Sequence, residues 1–309
     1  MRPTWPAALL LGAVVTAAAQ PPRPTPPPPT FEAQIEIINL TLSVTDAHNR
    51  YVTGLAEADF AVYEDGVRQE LSLFTRENLP ISLVLMIDTS ASMDTKLGAA
   101  QTAAVRFVKT LRRQDLASVL QFNDRTTTLQ DFTSDQQLLE DAVRRTHTSG
   151  PTALHNALYI ALKELSLEGK SGQLRRRAIV LLSDGEDTAS LVSDEQVIEL
   201  ARKTEVGIYA ISLRPKRPQD RRKTQFSQAA HLLTVLARGS GGQVHFPNSL
   251  ADLESVYDRI AEELRTQYSL GYVSRNTRRD GKWRRIVVRV PEREGVRVRH
   301  KLGYYAPPG

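Results

Sequence analysis

The sequence contains no cysteine. That single absence excludes disulfide staples, thiolate catalysis, zinc–thiolate centres and lipid attachment through a processed N-terminal cysteine. Histidine is scarce. His48, His147, His155, His231, His245 and His300 are all there are, and none of them falls into a metal-ligand spacing. There is no Gly-x-Ser-x-Gly elbow and no phosphate-binding glycine loop; Gly239-Ser-Gly-Gly242 is an isolated glycine cluster that reads as a turn. No internal repeat appears, and beyond the N-terminus no apolar run is long enough to span a bilayer. An excess of one charge is also missing, since the net formal charge is only +5 over 309 residues. Basic residues cluster at Arg175-Arg176-Arg177, from Arg214 to Lys223 and from Arg275 to Arg285. They lack the stacked aromatics of RNA-binding sheets, so nucleic acid is not expected. They read as solvated loops and strand edges, with a grip on an acidic polymer or anionic surface as the alternative.

What is present is ordinary globular material, 41% apolar and 24% charged, in a length that suits one α/β domain plus something extra. Residues 1–19 read as a secretory signal: Arg2, an apolar run from Ala7 to Val15, then Ala17-Ala18-Ala19 as a small-residue cleavage site. An uncleaved anchor is the alternative. Residues 20–30 are nearly all proline and form an extended polyproline spacer. The expected product is exported, to the periplasm, the cell surface or the medium, with no membrane span once the signal is cut.

Three folded stretches follow. Residues 31–79 alternate like strands, with Phe60 to Tyr63 turned by Glu64-Asp65-Gly66 into a partner running from Val67 to Phe74. Residues 80–266 alternate apolar strands with helices, which implies a Rossmann-like, doubly wound, mostly parallel sheet covered on both faces. The run Ile81 to Ile87 has the continuous apolarity of a strand buried on both sides, and Ala178 to Leu182 and Val206 to Leu213 repeat it. Residues 267–309 return to strands. Neither flank makes a comfortable β domain alone. The two are therefore expected to pair as one small β-sandwich with the α/β domain inserted between them; two separate β appendages are the alternative.

The chemistry concentrates in three loops. Asp88-Thr-Ser-Ala-Ser92 follows the first buried strand, where an open α/β sheet binds its ligands. One carboxylate and two alternate hydroxyls offer three oxygens to a common point. An all-oxygen set suits a hard cation, magnesium first, with manganese or calcium possible. Ser183-Asp184-Gly185-Glu186-Asp187 ends the next buried strand and makes Asp184 the counterpart of Asp88. Thr152, in Thr148-Ser-Gly-Pro-Thr152, sits at or near a helix start. Each loop also has a plainer reading, in which Asp88, Ser90 or Thr152 caps a helix and Asp184-Gly185 is a turn.

Taken together, Asp88-Thr-Ser-Ala-Ser92, Thr152 in Gly-Pro-Thr-Ala-Leu and Asp184 in Leu-Leu-Ser-Asp-Gly resemble the metal-ion-dependent adhesion site of von Willebrand factor type A domains, over roughly residues 80–266. The resemblance implies that Ser90 and Ser92 coordinate the metal directly. It gives Asp88 and Asp184 a role mostly through water, and Thr152 a role directly or through water. The flanks, including Asp59 to Gly66, Tyr268-Ser-Leu-Gly-Tyr272 and Gly303-Tyr-Tyr305, resemble bacterial exported proteins related to that domain. The implied function is a non-enzymatic module that grips a carboxylate of a partner protein through the metal. The alternatives are a metal-assisted hydrolase using His147 or His155 as base, and a structural component of a cell-envelope assembly.

Overall fold

The computed structural model describes residues 37–76, 79–168, 174–184, 187–213 and 228–309. The expected signal (1–19), the proline spacer (20–30) and the Arg214–Lys223 cluster lie outside the described residues, as do Gly185 and Glu186.

The central sheet has six strands. They are β5 (Ile81–Asp88), β6 (Leu116–Phe122), β7 (Thr126–Thr133), β8 (Arg176–Ser183), β9 (Val206–Ser212) and β10 (Val244–His245). Their order is β10-β9-β8-β5-β6-β7, parallel throughout except for β7, which pairs antiparallel with β6 at the edge. Every residue of β5 is buried, which accounts for its unbroken apolar run. Its side chains alternate between two cores, as the pleat requires. Leu83, Leu85 and Ile87 pack with α1 (Leu97–Lys109), α2 (Gln136–Arg144) and α6 (Leu253–Thr266). Val84 and Met86 pack with α3 (Leu154–Glu168), α4 (Asp194–Lys203) and α5 (Gln228–Ser240). Truncating any of these to alanine should cost about 2–5 kcal/mol.

The flanks form one β-sandwich, as the sequence pattern implied. One sheet is β13-β1-β11-β4, built from β1 (Ile37–Thr45), β4 (Leu71–Thr75), β11 (Tyr268–Val273) and β13 (Arg297–His300). The other is β14-β12-β2-β3, from β2 (Ala61–Glu64), β3 (Val67–Gln69), β12 (Trp283–Arg289) and β14 (Gly303–Tyr305). Leu40, Leu42, Phe60, Val62, Tyr268, Leu270 and Ile286 fill the space between them. The α/β domain leaves β4 and returns through β11, and these two strands are hydrogen-bonded neighbours, so the insertion closes on itself.

The stretch Val67–Phe74 is not the single strand the alternation suggested. It breaks at Glu70, β3 staying with β2 and β4 crossing to the other sheet. Past β13 the chain likewise crosses to the other sheet, where β14 pairs with β12. At the glycine cluster, a Cβ on Gly242 would fall 2.0 Å from the carbonyl oxygen of Ile208, so the turn after α5 can close against β9 only with glycine there.

Candidate metal centre

Asp88 is the last residue of β5 and Ser183 the last of β8, adjacent parallel strands whose carboxyl ends open on the same edge of the sheet. Ser183 donates its hydroxyl to Asp88 Oδ2 at 2.5 Å. The backbone N–H of Ser90 donates to Asp88 Oδ1 at 2.9 Å, turning the chain so that Ser90 and Ser92 come together. Their hydroxyl oxygens lie 3.1 Å apart, and Ser92 Oγ donates to Asp184 Oδ1 at 2.7 Å. Four of the five anticipated residues thus form a continuous chain of hydrogen bonds across two strand ends.

The loop is fixed from behind. Thr89 donates both its N–H, at 2.8 Å, and its hydroxyl, at 3.1 Å, to the carbonyl of Phe122 on β6. Ser149 N–H donates to the Thr89 carbonyl and Ala91 N–H to the Gly150 carbonyl, which ties the Thr152 loop alongside. Gly150 has a φ of +64°, a left-handed conformation that glycine adopts without strain. Thr152 is buried, and both the N–H and the carbonyl of its backbone are engaged by Thr188.

The plainer capping readings do not hold for the first loop. Ser90 makes no side-chain capping bond to the single 3-10 turn after it, and α1 begins only at Leu97. Nor does Thr152 abut its helix, since α3 starts two residues later.

Burial holds the Asp88 carboxyl above the ordinary aspartate range, opposed by the hydrogen bonds from Ser183 and Ser90, with the nearby Asp184 adding repulsion. A cation between the two carboxylates would relieve both effects. The protein already sets a cation against one of them: the Lys96 ammonium contacts Asp184 Oδ2 and reaches the Ser92 carbonyl at 3.3 Å. Among the described residues no three acidic, histidine or cysteine side chains gather anywhere. The donor set here is two carboxylates with neutral hydroxyls, an all-oxygen set that fits a hard divalent ion.

Lys96 and Ser183 were not singled out by sequence reasoning. Ser183 stood inside the quoted loop, but its service to Asp88 depends on the strand register. Lys96 lies on no oxygen-rich motif. Of the histidines near the Thr152 loop, His147 is exposed and its Nδ1 lies 3.5 Å from the Arg145 carbonyl. His155 is half-buried with Nδ1 at 3.1 Å from the Val192 carbonyl and 3.8 Å from Asp187.

Comparison with known proteins places the fold. Residues 83–186 match the model of the von Willebrand factor type A domain. Proximal thread matrix protein 1 from the mussel byssus, solved with a zinc-occupied MIDAS motif, is similar with a TM-score of 0.50 and 19% identity over 65% of this chain and 49% of that one. A von Willebrand factor type A protein from Catenulispora acidiphila gives 0.49 and 16%, covering 76% and 52%. The von Willebrand domain of the pilus tip protein Mfa5 from Porphyromonas gingivalis gives 0.48 and 15%, covering 60% and 94%. The chain spans about half the length of the mussel and Catenulispora proteins. No curated protein matches it in sequence.

Proposed function

Because the chain carries a von Willebrand factor type A domain, we propose that Asp88, Ser90, Ser92, Thr152 and Asp184 hold a divalent cation that grips a carboxylate of a partner protein. The observation that carries this reading is the linked oxygen cluster running from Asp88 through Ser90 and Ser92 to Asp184, at the carboxyl ends of β5 and β8. Neutral hydroxyls next to the ion leave it electrophilic. Magnesium keeps exchangeable waters, one of which a carboxylate can replace. Binding of an acidic partner then requires the metal, and no step of bond-breaking chemistry is needed. The mussel protein's zinc-occupied MIDAS motif shows that a domain of this fold can hold a divalent ion. Magnesium is the expected ion here, with manganese and calcium as substitutes.

The signal-like N-terminus supports action outside the cytoplasm, in the periplasm, on the cell surface or in the medium. Among the described residues no helix is long and apolar enough to cross a membrane. Calorimetric titration of Mg²⁺ and Mn²⁺ into the wild type and Asp88→Ala tests the site. Saturable binding lost in the variant supports it, and equal affinity in the two removes it. A magnesium-dependent pull-down from the native cell, with Asp88→Ala as control, then tests the gripping role; capture that is indifferent to magnesium and to the substitution would refute that role.

A further inference from the structure

The basic clusters have different fates. Arg176 is buried and donates to the carbonyls of Leu264 (3.1 Å) and Gln267 (2.7 Å), so the Arg175-Arg176-Arg177 run serves the join between the α/β domain and the sandwich. The Arg275 to Arg285 stretch leads instead into β12. There Ile286 and Val288 point into the sandwich core, so the pleat turns Trp283, Arg285, Val287 and Arg289 outward. Register extends this outer face across the sheet. Val287 lies opposite Tyr63 on β2, Tyr63 opposite Arg68 on β3, and Trp283 opposite Tyr305 on β14. Arg68, Arg285 and Arg289 are all exposed.

No carboxylate answers these three charges. Among the described residues none of the three is ion-paired, and no acidic residue stands in these outward positions. The carboxylates around the β2–β3 hairpin are committed elsewhere. Glu64 points inward and accepts from Tyr272 (2.8 Å), Ser274 (2.6 Å) and Tyr304 (3.0 Å). Asp65 accepts from the backbone N–H of Arg285 at 2.9 Å, and Glu70 pairs with Arg275 at 2.6 Å. Aromatic rings hold guanidinium groups in their place. Arg289 lies 5.6 Å from the centre of the Tyr63 ring, and Arg202, at the end of α4, lies 5.5 Å from that of Trp283. A ring orients a guanidinium without neutralising it.

From this arrangement we propose that the outer face of the β14-β12-β2-β3 sheet binds an acidic polysaccharide, one carrying carboxylate or sulfate groups along its length. Charge complementarity calls for an anion, and spacing selects a polymer. Arg285 and Arg289 stand roughly 13 Å apart along one strand, and Arg68, two strands away, is on the order of 12 Å from each. A compact acid does not span three such points on a flat sheet, whereas a chain with repeated charges does. The rings select among polymers. Tyr63 carries Arg289, and Trp283 carries Arg202 with Tyr305 against its edge at 5.1 Å, so the face offers no open stacking platform for nucleic-acid bases. Val287, the aliphatic residue between the arginines, is half-buried and gives no wedge into a lipid layer. The face lies on the sandwich and is independent of the metal centre.

Binding of the full chain to polygalacturonate, to dextran sulfate and to uncharged dextran, measured by biolayer interferometry in EDTA so that no metal bridges the carboxylates, tests the face. The expected result is saturable binding to at least one charged polymer and none to dextran, weakened at least tenfold between about 50 and 500 mM NaCl. Polygalacturonate alone would assign a carboxylated chain and dextran sulfate alone a sulfated one. The triple variant Arg68→Gln, Arg285→Gln, Arg289→Gln should lose at least tenfold in affinity. Arg113→Gln, Arg144→Gln, Lys163→Gln removes the same charge from exposed positions of the α/β domain and should change affinity less than twofold. Arg68→Gln alone, on the edge strand β3, should weaken binding severalfold and keeps the test decisive if the first triple variant does not fold. Absence of binding to both charged polymers overturns the proposal, as does unaltered affinity in the face variants. Equal loss in the two triple variants overturns it too, since net charge alone would then be at work. So does tighter binding to vesicles of phosphatidylcholine and phosphatidylglycerol than to either polymer, which would assign the face to a membrane surface.

Discussion

The ammonium of Lys96 rests on the carboxylate of Asp184, whose side chain is only 3% exposed. An arriving divalent ion would meet this internal cation first. Replacing Lys96 by methionine keeps most of the side chain's length and removes the competitor. Lys96→Met should therefore raise Mg²⁺ and Mn²⁺ affinity by about tenfold, the equivalent of ~1.4 kcal/mol. It should also lower the Tm of the metal-free protein, because Asp184 loses its counter-charge. Calorimetry and melts with and without Mg²⁺ check both effects. An affinity unchanged by the substitution would show that the ammonium does not compete.

Asp88 should show the opposite balance of stability and binding. Its folded-state pKa is raised, chiefly by burial. The stability it contributes is thus present below the unfolded value near 3.8 and lost as pH climbs through the folded one. At neutral pH the ionised group is a cost in the metal-free protein. Asparagine can accept from Ser90 N–H and donate to Ser183 in its place. Asp88→Asn is expected to melt no lower than the wild type without metal, yet to bind Mg²⁺ at least a hundredfold more weakly. In the wild type, affinity should fall on acidification with a midpoint above pH 3.8, since the proton and the metal compete for one carboxylate. A markedly lower metal-free Tm in Asp88→Asn would sink this account.

Much of this was legible in the sequence because the period and the loop chemistry agree. The unbroken apolar run of β5 announced a strand buried on both faces, and the oxygen-rich residues just past it announced where a ligand could sit. What could not be read depends on register or on distance. Ser183 serves Asp88 only because β8 and β5 end together. Lys96 reaches Asp184 across 88 residues of chain. The break at Glu70 was hidden because the alternation continues through it while the backbone changes sheets. The triple-arginine run read as a solvated loop because nothing local reveals that the sandwich folds over it.

His245 on β10 carries a second pH dependence. The ring is 8% exposed and its Nε2 has no hydrogen-bond partner among the described residues. Burial, helped by Arg259, pushes its pKa down to about 4 from 6.5. A depressed pKa contributes stability that is present above the unfolded value and lost as pH falls toward the folded one. Between pH 6.5 and 4 the unfolded chain takes up a proton that the native state refuses, a loss of about 3 kcal/mol. Tm measured against pH should fall more steeply over this window in the wild type than in His245→Gln. Parallel curves would assign the acid sensitivity to other groups.

Glu263 on α6 joins the two layers and gives the largest expected effect. It is 1% exposed and accepts from Ser43 on β1 (2.9 Å), Tyr51 (3.0 Å) and Tyr209 on β9 (2.9 Å), and it pairs with Arg299 on β13. One carboxylate thus ties the C-terminal helix of the α/β domain to its central sheet and to two strands of the sandwich. Burial, with the same negative charge, raises the Tyr209 hydroxyl well above its ordinary pKa, so the phenol stays a donor at every physiological pH. Removing one member of a buried ion pair strands the other, at about 3–5 kcal/mol. Glu263→Ala should lower stability by that amount in denaturant melts, and Glu263→Gln by less, because the amide oxygen still accepts from the hydroxyls. Metal affinity should be unchanged in Glu263→Gln, since the cluster lies toward the sandwich and away from the Asp88 loop. A Glu263→Ala loss below about 1 kcal/mol, the range of an exposed pair, would show that the hub does not hold the layers together.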